Sequence, residues 1–113
     1  MPDPLNWYTL NDEIADIGTA DTKLFVAPRA GWLRNVRTVL NGAITTADDV
    51  ITVSVDGTNL SPTITITQSG SAAGDTTSTN YYTPVKAGSR ILLTNSGAST
   101  GTTKIAYTLT LSG

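Results

Sequence analysis

Apolar and polar residues alternate in short segments along most of the chain, and Gly, Pro, Asp and Ser separate these segments. The alternation is clearest in residues 105–111 and 51–55, where Ile, Val, Leu or Tyr takes every second position. A period of two indicates a β-strand with one buried face. The Asp56-Gly57 pair after the second segment is typical of a tight hairpin turn. About eight strands, spaced by roughly 8–12 residues, predict one all-β, antiparallel sandwich that resembles a jelly roll.

One predicted strand does not alternate simply. From Trp32 onward, strict alternation places Trp32 and Val36 on one face but leaves the apolar Leu33 and Val39 on the other. Either neighbouring elements cover both faces of this strand, or a β-bulge shifts the phase partway along it.

The first twelve residues have a pattern of their own. Pro2 and Pro4 favour an extended chain that cannot donate fully to a sheet ladder. The apolar residues that follow need a surface to cover them, and we predict them as a protein interface: Leu5, Trp7, Tyr8 and Leu10. We therefore predict an extended N-terminal arm over residues 1–12 and a sandwich domain over residues 13–113. The alternative that residues 5–10 form the first strand of the domain stays open, and an arm that pairs with a neighbouring subunit satisfies both.

Composition supports strands and narrows the chemistry. The 113 residues suffice for one core, and they include 21 Thr, 9 Ser and 10 Gly but a single Glu. The chain has no Cys and no His, so it lacks thiolate metal ligands and the commonest general base. We therefore expect no enzyme activity, no cofactor, no metal ion and no small-molecule substrate. A net charge of -2 gives no reason to expect nucleic acid or a membrane as partner.

No constellation of residues predicts catalysis. Asp48 and Asp49 are adjacent carboxylates, and sequence neighbours do not face each other across a scissile bond. We interpret Asp48 as a turn or capping residue that accepts a hydrogen bond from a nearby backbone N–H.

A second contact surface is predicted around Trp32. Arg34 and Arg37 follow it closely, and Trp and Arg are enriched in the hot spots of protein interfaces. The alternative is that these arginines lie on a solvated outer face. Aromatic residues could also form a stacking platform for sugars, from the set Trp7, Trp32, Tyr81 and Tyr82. Tyr81 and Tyr82 must point to opposite faces of a strand, and burial with a satisfied hydroxyl is the commoner fate of a tyrosine.

Several turn and strand patterns resemble those of small structural proteins of tailed bacteriophages. The matching segments are IADIGTA at 14–20, VAPRAG at 26–31, NGAITTAD at 41–48, ITV at 51–53 and GASTG at 97–101. Within that group, a small, Thr-rich, all-β chain is most similar to the head decoration, or cement, proteins.

The resemblance implies a function as well as a fold. It implies a jelly-roll virion protein that is made in the bacterial cytoplasm and binds the outer surface of the capsid as a homotrimer. There it would clamp neighbouring capsomers, with the major capsid protein as its partner. The alternative is a carbohydrate-binding sandwich module of a phage tail fibre or adhesin.

Overall fold

The structure of the protein is a computed structural model, which describes residues 7–14, 17–18, 20–97 and 103–112. In these residues every regular element is a strand, which confirms the predicted all-β class. The strands are β1 (Tyr8–Ile14), β2 (Asp21–Val26), β3 (Gly31–Leu40), β4 (Asp49–Val55), β5 (Thr58–Asn59), β6 (Ile64–Ile66), β7 (Thr76–Val85), β8 (Arg90–Asn95) and β9 (Ile105–Ser112). None of the described residues belongs to a helix that could cross a membrane.

The strands form two antiparallel sheets. Sheet A has the order β1-β9-β3-β7, and sheet B has the order β2-β8-β4-β5, with β6 also paired to β4. Apart from the two-residue β5, this is the strand order of a jelly roll, in which two Greek keys enclose one core. The predicted single-domain, jelly-roll-like sandwich is confirmed.

Alternate side chains of both sheets fill the space between them. On β9, Ile105, Tyr107, Leu109 and Leu111 are buried, whereas the residues between them face outward and are exposed or half-buried up to Thr110. Strands β4 and β8 contribute buried Ile, Val and Leu residues in the same way. A fully buried aliphatic side chain is worth roughly 1.5–3 kcal/mol. The shared interior therefore holds the two sheets together and leaves their outer faces available for contacts.

Strand β3 contains a β-bulge. Leu33 pairs with Leu111 of β9, and Asn35 pairs with Thr110, so Arg34 is an extra residue relative to β9. The extra residue shifts the phase, and after it the buried positions of β3 are the even-numbered ones. The bulge is one of the two explanations that the sequence left open.

Strand β1 includes much of the predicted arm. It pairs with β9 along its whole length, from Tyr8 opposite Leu111 to Ile14 opposite Ile105. Tyr8 and Leu10 face inward and pack against the core. The predicted boundary between residues 12 and 13 thus falls inside a strand, because the apolar residues of this segment find their partners in the same domain. The predicted contact residue Leu5 lies outside the described residues.

The Asp56-Gly57 turn is the predicted hairpin, and it joins β4 to β5. Asp56 and Gly57 have positive φ angles of 50° and 89°, as a tight hairpin turn of this kind requires. The Asp56 carboxylate accepts hydrogen bonds from the backbone N–H of Arg90 at 2.9 Å and from the Ser89 hydroxyl at 2.8 Å. These two bonds hold the pKa of Asp56 below its usual value. The turn is thereby fixed to the segment that enters β8.

Two buried tyrosines differ in how their hydroxyl groups are satisfied. Tyr81 of β7 donates a hydrogen bond to the carbonyl of Pro62 at 2.7 Å. Tyr107 of β9 is 1% exposed, and its hydroxyl oxygen has no hydrogen-bond partner among the described residues. Burial raises the pKa of Tyr107, and the nearby carboxylates of Asp49, Asp21 and Asp12 raise it further.

Candidate functional site

The outer face of sheet A carries a pair of stacked aromatic rings where β3 begins and β7 ends. Trp32 of β3 and Tyr82 of β7 have ring centroids 4.4 Å apart and planes inclined by 13°. The bulge permits this contact. Leu33 pairs with Thr83 and Asn35 pairs with Asn80, so β7 has two residues between these pairs where β3 has only Arg34. The two residues of β7 are Tyr81 and Tyr82. Of those two, Tyr81 is buried and Tyr82 faces outward.

Arg34 extends this stack. Its guanidinium carbon lies 4.8 Å from the centroid of the Tyr82 ring and 5.5 Å from that of Trp7. Because Trp32 covers one face of the Tyr82 ring at stacking distance, Arg34 takes the other face. The four side chains therefore follow one another in the order Trp32, Tyr82, Arg34, Trp7, and we call this set the aromatic–arginine row. Each exposed cation–π contact contributes about 0.5–1 kcal/mol, so the two contacts together favour this arrangement of the row.

A second cation–π pair lies at the same end of the sandwich. The Arg29 guanidinium carbon is 4.8 Å from the centroid of the Tyr8 ring, and the Tyr8 hydroxyl donates to the Arg29 carbonyl at 3.1 Å. Partial burial raises the pKa of Tyr8, and the positive charge of Arg29 opposes the rise. The pair ties the start of β1 to the loop that enters β3.

The structure brings together three of the residues that the sequence predicts as interface: Trp7, Trp32 and Arg34. Tyr8 lies at the same end of the sandwich but faces inward, where it packs against the core and contacts Arg29. Arg37 lies further along β3, exposed on the same outer face. Leu10 instead packs on the core, because it points inward from β1.

The interface prediction missed Tyr82, which is 65% exposed and central to the row. The adjacent tyrosines of β7 signalled that one ring must face outward. Its stacking partner, Trp32, follows only from the register between β7 and β3, which the sequence does not show.

Charge is distributed unevenly between the two ends of the sandwich. The end that carries the row, together with the loops 27–30, 56–57 and 86–89, has mostly basic residues among those described: Arg29, Arg34, Lys86 and Arg90, with Asp56. The opposite end has mostly acidic ones: Asp12, Glu13, Asp21, Asp48, Asp49 and Asp75, with Lys23 and Lys104. We call the first the basic end and the second the acidic end. A negatively charged surface would therefore attract the row and repel the opposite end.

At the acidic end, the described carboxylates are not grouped as a metal site requires. Within the ranges that the structure describes, no three or more His, Cys, Asp or Glu side chains form a group that could coordinate an ion. The Asp48 carboxylate accepts a hydrogen bond from the backbone N–H of Gln68 at 2.8 Å. Asp48 therefore joins two segments that are distant in sequence, instead of capping a local turn as predicted. An open depression of about 320 Å³ at this end is lined by Glu13, Val39, Leu40, Asn41, Lys104 and Ala106.

Sheet B also exposes apolar side chains on its outer face. Leu24 and Val26 of β2 are 55% and 53% exposed, and Leu24 pairs with the half-buried Leu92 of β8. This small patch explains why residues 24–26 and 91–93 are apolar at consecutive positions. One face of each strand fills the core, and the other forms the patch.

Comparison with known proteins adds information on the fold. No protein-family model matches the sequence, and no curated protein matches it. Among solved structures, the chain is similar to the catalytic unit of a thermostable GH87 alpha-1,3-glucanase from Streptomyces thermodiastaticus strain HF3-3, with a TM-score of 0.56 and 16% sequence identity. The match covers 99% of this chain but 27% of that one. A sandwich of this form thus occurs as part of a larger enzyme, and at this identity the likeness concerns the fold alone.

Proposed function

We propose that this chain is a structural protein, without enzyme activity, that binds the outside of a tailed-phage capsid and stabilises the shell by clamping neighbouring capsomers. The observation that supports a binding role is the aromatic–arginine row. Trp, Tyr and Arg are the residue types enriched in interface hot spots, and here they are fixed against one another before any partner arrives. Such preorganisation lowers the entropic cost of association.

The rest of the molecule suits a clamp. A jelly roll with a well-filled core is rigid, so a force applied at one surface is transmitted to another. On a capsid, many copies bind at regularly spaced positions, and each bound copy stabilises the assembled shell relative to its separated parts. A homotrimer that contacts the major capsid protein from outside is part of this proposal. Light scattering of the purified chain measures its subunit number.

The first prediction concerns particles. In purified virions of the phage that encodes the chain, we expect many copies on the outer surface, in fixed proportion to the major capsid protein. Quantitative mass spectrometry measures the ratio of this chain to the major capsid protein. Antibody labelling of intact particles shows whether the chain lies on the outer surface. Particles that lack the chain, or carry it only inside the shell, would contradict the proposal.

The second prediction assigns the contact to the row. Tyr82→Ala should lower the affinity for particles that lack the chain by about tenfold or more, because it removes the ring between Trp32 and Arg34. Leu24→Thr is the matched control, because Leu24 is similarly exposed on the other sheet. Thermal melts verify that both variants are folded. If the Tyr82 variant and the native chain bind particles equally well, the row is not part of the capsid contact.

A carbohydrate-binding module is the second candidate, and the exposed aromatic rings favour it. Tyr82 is the most exposed of these rings, yet Trp32 and Arg34 occupy its two faces. A sugar would therefore have to stack on the outer face of Trp32 or of Trp7. Saturable binding on a glycan array that is lost in Trp32→Ala would favour this second candidate.

A further inference from the structure

We propose that Arg34 is a preorganised receptor for a carboxylate, and that the protein partner of the row presents an Asp or Glu side chain to it. This inference rests on the row being the contact surface of the proposed function. It adds the chemistry of the partner, which the proposed function leaves open.

The Arg34 guanidinium group contacts two aromatic rings. Its central carbon lies over the ring of Tyr82 at 4.8 Å and over that of Trp7 at 5.5 Å, so the charged group is held beside both. The N–H groups of a guanidinium point outward from its edge, in a fork that matches the two oxygens of a carboxylate. Within the described part of the chain, no carboxylate lies within 4.0 Å of Arg34. The donors at its edge are therefore available to a partner.

Further positive charges share the outer face or the end of the sandwich that carries Arg34. Arg37 lies on the same outer face, and Arg29 lies at the same end of the sandwich. Glu13 is on the outer face of β1 near the acidic end, far from the row along the strands. A positively charged end on a chain of net charge -2 is complementary to an acidic surface and orients the molecule toward it.

The row suits a protein carboxylate better than the phosphates of a nucleic acid. Proteins that bind single strands offer free aromatic faces on which bases stack. Here Trp32 and Arg34 occupy both faces of Tyr82, which leaves only the outer faces of Trp32 and Trp7 at opposite ends of the row and no two neighbouring rings for successive bases. The carboxylates of the acidic end would also repel a long polyanion that extended beyond the row. An acidic protein segment meets neither obstacle.

The chain's own acidic end is poorly suited as the ligand of the row. Most of its carboxylates accept hydrogen bonds from nearby backbone or hydroxyl groups: Asp12, Asp21, Asp48, Asp49 and Asp75. Asp49 is also buried. Contact with the row of a second copy would require these carboxylates to leave or share their present donors. A different protein is therefore the occupant that we propose.

The experiment uses the full chain and a short acidic probe. The probe is the N-acetylated, C-amidated peptide Gly-Glu-Gly-Asp-Gly, and its control is the same peptide with Gln and Asn in place of Glu and Asp. Both tryptophans of the chain belong to the row, so their fluorescence reports binding there, and the Nε–Hε NMR signal of Arg34 reports the contact itself. We expect saturable changes in both signals with the acidic peptide only, weakened as salt is added.

The variants test the guanidinium. Arg34→Lys keeps the charge but loses the planar fork, so the acidic peptide should bind about tenfold more weakly. Arg90→Lys is the matched control and should bind as the native chain does, because Arg90 is exposed on β8, in the other sheet, and is not part of the row. Equal binding of the acid and amide peptides, or unchanged binding by Arg34→Lys, would overturn the proposal. Tighter binding of oligo(dT) than of the peptide would also overturn the proposal, because the ligand would then be a nucleic acid. Concentration-dependent self-association that is lost in Arg34→Lys would overturn it as well, because the ligand would then be a second copy of the chain.

Failure of the capsid role remains distinguishable. If the acidic peptide binds through Arg34 but Arg34→Lys coats particles normally, the carboxylate site stands and the capsid contact lies elsewhere. If Tyr82→Ala abolishes particle binding but the peptide does not bind, the row contacts the capsid without a carboxylate at Arg34.

Discussion

A chain that lacks residues 1–12 is expected to unfold at a much lower urea concentration than the full chain. The truncation removes five of the seven residues of β1, which pair with β9 and complete one edge of sheet A. It also removes Tyr8 and Leu10, whose side chains pack against the core. Together these losses should lower the free energy of unfolding by about 3 kcal/mol or more.

Two comparisons isolate the contribution of β1. A chain that lacks only residues 1–6 keeps every β1–β9 pair, so the difference between the two truncations measures the strand. Within β1, Leu10→Ala should cost more than Thr9→Ala, because Leu10 faces the core and Thr9 is exposed on the outer face. If both truncations unfold at the same urea concentration, β1 adds nothing to stability and residues 7–12 behave as a dispensable arm.

Stability is expected to fall steeply above about pH 10, and Tyr107 should account for much of the fall. Burial and the surrounding carboxylates raise the pKa of Tyr107 in the folded protein. Above pH 10 the unfolded chain releases the tyrosine proton while the folded chain keeps it, so unfolding releases protons. The free energy of unfolding then decreases with rising pH, by up to about 1.4 kcal/mol per pH unit for this group.

Tyr107→Phe tests this effect directly. Urea unfolding between pH 7 and 11 should show a shallower decline above pH 10 for the variant than for the native chain. The difference isolates Tyr107, because the raised pKa values of Tyr8 and Tyr81 contribute equally to both proteins.

At pH 7 the variant should be as stable as the native chain or slightly more so, since it removes a buried hydroxyl that has no partner within the described part of the chain. Tyr81→Phe is the control, because it breaks the bond to Pro62 and should cost about 1 kcal/mol. A loss at pH 7 as large as that of Tyr81→Phe would mean that the Tyr107 hydroxyl is hydrogen-bonded.

Much of the fold could be predicted from the sequence because alternation is a local property. The buried positions of β4 and β9 follow directly from their period of two, and the Asp56-Gly57 turn follows from the freedom of these residues to adopt positive φ. The irregular phase after Trp32 indicated a bulge or a doubly covered strand. The structure shows that a bulge at Arg34 is the cause.

The candidate site could be predicted only in part, because it depends on which strands pair. The alternation of β3 and β7 does not say that Trp32 meets Tyr82, since their registers are set by contacts throughout the sandwich. The assignment of Leu10 to an interface shows the same difficulty. An apolar residue after two prolines needs cover, and the sequence does not show whether its own core or another subunit provides it.

The separation of basic and acidic residues gives the molecule an electric dipole along its strands, although its net charge is small. On ion-exchange media at low salt, the chain can therefore adsorb to either sign of matrix, each time by a different end. Immobilisation through one end would leave the other facing the solution, which offers a way to display the sandwich in a chosen orientation without a tag.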